Sequence, residues 1–147
     1  MKFWLLITSA NNWEIIRKKN VYGAMKKHRT QIESLKKSDK CLIYLRQEFV
    51  NKKFLGPYIV GLYEVISGSF EDNTRIFNES PIYPNENYPF RVNLKPVKIF
   101  SKPIEFKSLI PNLGFITNKR NWASHMQGRS IKEIPENDFN LLISKAD

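Results

Sequence analysis

The segment from Val21 to Arg29, VYGAMKKHR, sets Tyr22 and Gly23 just ahead of Lys26, Lys27, His28 and Arg29. A planar ring beside clustered cations suits nucleic-acid recognition, because the ring stacks on a base while the cations neutralise phosphates. The positive charge is local: between Arg17 and Lys40, nine Lys or Arg stand against two acids, Glu33 and Asp39. Several phosphate contacts must act together to hold at physiological salt, and such clustering supplies them. A solvated helix pair with no partner would carry the same charge. A second group, Asn118-Lys119-Arg120-Asn121-Trp122, followed by His125 and Arg129, repeats the combination of cation and ring. Trp4, Trp13 and Trp122 each also have a plain reading as core residues.

The whole chain carries the same bias. Its 147 residues hold 24 Lys and Arg against 14 Asp and Glu, a net charge of +10, which favours nucleic acid or an anionic membrane surface as partner. No run approaches the roughly 18 apolar residues of a membrane span, and FWLLI at the start is too short for a secretory core. A cytoplasmic protein of one domain, residues 1–147, is expected.

Enzyme signatures are missing: there is no P-loop, no dinucleotide fingerprint, no zinc-protease helix motif and no nucleophile elbow. Glu48 beside Arg46, or His28 with Cys41, would form an acid/base or nucleophile pair only if the fold brought them together. One cysteine and two distant histidines, His28 and His125, make a poor metal set, so neither metal nor cofactor is expected. The flanks of Cys41, in CLIYL, read as a buried strand thiol.

Positioning these groups requires ordered elements. Phe3 to Thr8 reads as a buried strand, followed by a helix capped from Ser9, Asn11 or Asn12 and ending on Arg17, Lys18 and Lys19, where cations complement the helix dipole. Val21-Tyr22-Gly23 reads as a turn into a second helix, Met25 to Lys37. Lys36 to Lys40 is then a polar turn, Cys41 to Arg46 a strand, QEFVNKKFLG a loop, and Pro57 to Val65 a strand with a bulge or close approach at Gly61. Ser67 to Pro89, rich in Asn, Pro and Ser, is too long for a hairpin loop and reads as a flap.

Tyr88 to Phe100 alternates Phe90, Val92 and Leu94 inward with Arg91, Asn93 and Lys95 outward, breaks at Pro96, and resumes with Val97 and Ile99. Short helices are expected at Phe106 to Ile110 and Trp122 to Gln127, with a last one opened by Pro135. Strands and short helices without regular alternation give an α+β class built on a curled, mostly antiparallel sheet.

Four stretches together resemble the EVE domain over essentially the whole chain. They are the opening strand with its Trp, Val21-Tyr22-Gly23 after the first helix, the turn at Ser38-Asp39-Lys40, and FITNKRNW from Phe115 to Trp122. The resemblance implies a PUA-like fold, a small curled β-barrel with peripheral helices, related to the YTH readers of methylated adenine. It also implies binding of nucleic acid, RNA or DNA, through a base that is often modified. By position, Ser9, Asn11 and Asn12 would read the base edge. Tyr22, Phe77 and Trp122 would form aromatic walls, Gly23 would bring backbone close, and Lys26, Lys27, His28, Arg29, Lys119 and Arg120 would grip phosphates. Many EVE domains carry Trp where this chain has Tyr22, which offers a smaller face and a hydroxyl in need of a partner. The related ASCH domains include hydrolases of modified nucleosides, and a hydrolytic alternative would need a lysine and a carboxylate together, such as Lys26 with Glu48.

Overall fold

The apolar run FWLLIT is continuous because both of its faces are buried. In the computed structural model, which describes residues 1–146, it forms strand β1, Phe3–Thr8. Trp4 and Leu6 enter one core and Leu5 and Ile7 enter another on the opposite face of the sheet. Strand β3, Lys40–Leu45, lies parallel to β1 from Phe3↔Lys40 to Thr8↔Leu45 and divides its residues in the same way, with Cys41 and Ile43 on one side and Leu42 and Tyr44 on the other. Strands covered on both faces lose the alternation of apolar and polar residues and read as unbroken apolar runs.

Between these strands runs helix α1, Ala10–Lys19. The Ser9 hydroxyl accepts from the Asn12 backbone N–H (3.2 Å), and Asn20 closes the helix in the left-handed conformation. Val21–Ala24 is strand β2, where the sequence reads as a turn. The Met25 to Lys37 helix shrinks to a 3₁₀ turn at Lys26–His28 and a single turn, α2, Arg29–Ile32. Met25, His28, Ile32 and Leu35 make only a narrow buried stripe there, too little to hold a longer helix among so many cations.

The loop QEFVNKKFLG is a hairpin of strands β4, Glu48–Val50, and β5, Lys53–Leu55. Strand β6, Tyr58–Val65, is antiparallel to β3, with register shifts on both sides of Gly61 where the bulge was expected. A two-residue β7, Phe70–Glu71, opens the otherwise irregular flap. Strand β8, Phe90–Glu105, runs past Phe100, where its sequence signal stops, and through Pro103. Its first residues pair with β2 and β7, and from Leu94 onward it pairs with β6, so one bent strand carries the sheet around. Strand β9, Ile131–Ile134, completes the order β2-β8-β6-β3-β1-β9, and α3, Glu136–Ser144, follows.

The result is a mixed sheet curled into a half-barrel with short helices. Arg91, expected to point outward, is instead 1% exposed, while Val97 and Ile99 are exposed. Among the described residues no helix is long and apolar enough to cross a membrane. Cys41 is fully buried, and burial pushes its thiol well above the ordinary pKa.

Candidate nucleic-acid interface

Because β1 and β3 run parallel in register, both end on one rim, and the Arg46 backbone N–H donates to the Thr8 carbonyl (3.0 Å) to hold the two exits together. The residues that follow, Ser9, Asn11 and Asn12 from α1 and Arg46 and Gln47 after β3, form one side of a cleft of about 610 Å³. That volume lies within the roughly 300 to 1,000 Å³ usual for ligand sites. The flap, from Asn78 to Tyr83 and again at Tyr88, lines the cleft as well. Trp122, Met126, Arg129, Tyr44, Met25 and His28 complete its lining.

The flap is fastened at two places. The Asn78 backbone N–H donates to Asn12 Oδ1 (2.7 Å), and the Asn78 side-chain amide donates to the Asn11 carbonyl (3.0 Å). Behind it the buried Arg91 guanidinium donates to the carbonyls of Tyr88 (3.0 Å), Thr74 (2.6 Å) and Asn87 (3.2 Å) and pairs with Asp72 at 3.4 Å. The Phe77 ring lies 5.2 Å from this cation and meets Tyr88 edge to face at 5.8 Å. A buried charge is tolerated only when so fully satisfied.

Electrostatics at the cleft are cationic. Arg46 has neither ion pair nor side-chain hydrogen bond among the described residues, and Lys27 donates to the Tyr83 hydroxyl (2.7 Å). Glu79, the acid on the rim, is held by Arg75 at 2.6 Å. His28 Nδ1 lies 2.5 Å from Ser130 Oγ, and burial, then the charge of Lys27, holds the imidazole below its ordinary pKa. No three His, Cys, Asp or Glu side chains gather as a metal site among the described residues.

A cleft of aromatic, amide and cationic groups at this corner of a curled half-barrel accords with the sequence comparison, in which the EVE domain family model matches residues 2–145. The chain belongs to the EVE domain family. UPF0310 proteins of Pyrococcus abyssi and Pyrococcus horikoshii are 41% identical over 144 residues and 43% identical over 143, covering 98% and 97% of this chain and 99% and 97% of their own. Among solved structures, human THYN1 protein in complex with 5-methylcytosine containing DNA superposes with a TM-score of 0.63 at 13% identity over 98% of this chain and 96% of that one. The MmI1 YTH domain does so with a TM-score of 0.60 at 10% identity, covering 98% and 93%. The fold is therefore PUA-like, as the sequence resemblance implies.

In this EVE domain Ser9, Asn11, Asn12, Lys27, His28 and Trp122 meet around the cleft. Tyr22 does not. Its ring is 2% exposed, and its hydroxyl shares its one proton between the carbonyls of Ile7 (2.8 Å) and Ser130 (2.6 Å), so it fastens β2 to the sheet's far edge. Tyr22, Gly23 and Phe77 line only a void of about 10 Å³ behind the cleft, too small for a base. Gly23 lies within β2, and a Cβ there would fall 2.6 Å from the Phe77 ring and 2.7 Å from the Tyr88 carbonyl, so glycine lets the flap pack down.

The other expected phosphate ligands lie outside the cleft. Lys119 donates to the carbonyls of Ile110 (3.0 Å) and Leu113 (2.6 Å), and Arg29 pairs with Glu33 and stacks 4.9 Å over Phe90. Lys26 and Arg120 are exposed on the surface. Lys26 and Glu48 both lie outside the cleft, so the hydrolytic pair is not assembled there. Sequence reasoning missed Tyr44, Arg46, Gln47, Tyr83 and Tyr88. Their only local signal is position at a strand end or inside the flap.

Proposed function

We propose that this EVE domain is a non-catalytic module that binds a nucleic-acid strand and takes one base, a modified one, into the cleft. The observation that carries the reading is the company of groups there. Tyr83, Tyr88 and Trp122 offer ring faces and edges, Asn11 and Gln47 offer amides for a base edge, and Lys27, Arg46 and Arg129 stand where a backbone would pass. The fold is shared with a protein solved with methylated DNA and with a YTH domain, which adds support. A base swung out of its stack loses a few kcal/mol, offset by ring contacts, edge hydrogen bonds and phosphate pairing. A methyl group adds at most about 1 to 3 kcal/mol of discrimination, so selectivity is modest and set by cleft shape.

The test is fluorescence anisotropy with single-stranded DNA and RNA oligonucleotides carrying one 5-methylcytosine, one N6-methyladenine or no modification. Trp122→Ala is expected to lose on the order of tenfold in affinity and to level the modified and plain strands. Arg46→Ala should weaken every strand alike and reduce the salt slope by about one. Equal binding of all strands by wild type, unchanged in Trp122→Ala, would refute a base site.

A further inference from the structure

We infer that the β4–β5 hairpin is a stacking finger for the unpaired bases that flank the one held in the cleft, an inference that rests on the function proposed above. The hairpin stands away from both cores. Phe49 and Phe54 are 62% and 66% exposed, and they face each other across the two strands at 4.8 Å. A cross-strand aromatic pair left in water is an unsatisfied apolar surface, and its surroundings say what covers it.

The hairpin is continuous with the cleft, since Arg46 and Gln47 line the cleft and Glu48 begins β4. Lys107 Nζ lies 5.8 Å from the Phe54 ring and 5.9 Å from the Trp122 ring, so one ammonium stands between the hairpin and the cleft wall. The tip adds more charge. Asn51 and Lys52 both hold positive φ, 51° and 63°, which is the two-residue turn whose twist matches the strands. Asn adopts that conformation readily; Lys52 sits where glycine is favoured, so an exposed cation is kept at the tip despite backbone strain. Lys53 follows it. Rings alternating with cations and leading out of a base cleft are complementary to a single strand, whose bases present π faces and whose phosphates run beside them. A duplex has its base faces already covered.

The experiment compares a trinucleotide centred on the modified base with a strand about 12 nucleotides long and with its duplex. Wild type should bind the long single strand more tightly than either of the others. Phe49→Ala with Phe54→Ala should bind the trinucleotide as wild type does and the long strand on the order of tenfold more weakly, with unchanged salt slope because no charge is removed. Both side chains are mostly in water, so the melting temperature should hold, and Lys52→Ala with Lys53→Ala provides a second variant expected to lower the salt slope for the long strand only.

If wild type gains nothing from length, or if the double phenylalanine variant matches it on the long strand, the finger is overturned while trinucleotide binding keeps the cleft reading. If wild type binds neither, both fall. If sedimentation shows a wild-type dimer that the phenylalanine variant converts to monomer without loss of long-strand affinity, the pair is a self-association surface and the inference is overturned.

Discussion

Replacing Tyr22 by alanine separates a cleft wall from a core residue most sharply. The ring is packed in the core that holds Trp4, Leu6 and Cys41, and its hydroxyl lies against two backbone carbonyls. Truncating a buried aromatic costs about 3 to 5 kcal/mol through lost transfer energy and the cavity left behind. For a chain of this size each kcal/mol moves the melting temperature by about 2 to 4 °C, so Tyr22→Ala should melt on the order of 10 °C lower. Tyr22→Phe isolates the hydroxyl. The Ser130 carbonyl still accepts from the Ile7 N–H (2.8 Å), so the loss should be about 0.5 to 1.5 kcal/mol. Thermal and urea unfolding followed by circular dichroism give both values, and binding is then measured where each variant is folded. There, Tyr22→Phe should bind as wild type does. A Tyr22→Ala protein that melts with wild type yet loses its affinity for modified strands would refute the argument and restore the ring as a wall.

Two further outcomes follow from the site. Arg91→Met removes the donors that hold the carbonyls of Thr74, Asn87 and Tyr88, so amide exchange and proteolysis should accelerate across residues 72–88 before the rest of the chain opens; unchanged protection there would refute the guanidinium as the flap's anchor. His28 is held below its ordinary value of 6.5 by burial, so the unfolded chain takes up a proton first as the pH falls. The stability this contributes is complete above that value and declines on descending below it, which the urea midpoint measured from about pH 7.5 to about pH 5 should show, and His28→Gln should flatten that slope.

How much of this was legible depends on the range of the interaction that decides each element. The opening strand, the Ser9-capped helix with cations in its last turn and the buried Cys41 strand follow from local pattern, and all three stand in the structure. Val21–Ala24 had no such pattern. Four residues carry no period that distinguishes a strand from a turn, and the segment is a strand because it pairs with Phe90 to Asn93 at the start of β8. The same long-range pairing defeated the reading of Arg91. Strict alternation sends it outward, but the flap folds over that face and supplies carbonyls enough to bury a charge. The hairpin at Glu48 to Leu55 was hidden for the opposite reason: all six of its strand residues are exposed, so no apolar face marks it.

The sequence by itself determined the class of fold, the family, the basic character and the polar residues after the first strand that border the cleft. Those properties are additive over residues or set by neighbours a turn away. Which ring faces the cleft was decided only by the tertiary structure. The parallel pairing of β1 with β3 brings their ends at Thr8 and Leu45 to one rim, and with them Arg46 and Tyr44. The packing of the flap on Gly23 puts Tyr88 and Tyr83 where Tyr22 was expected, and closes Tyr22 into the core behind them. Burial depends on what covers a side chain from elsewhere in the chain, and local sequence does not carry that information.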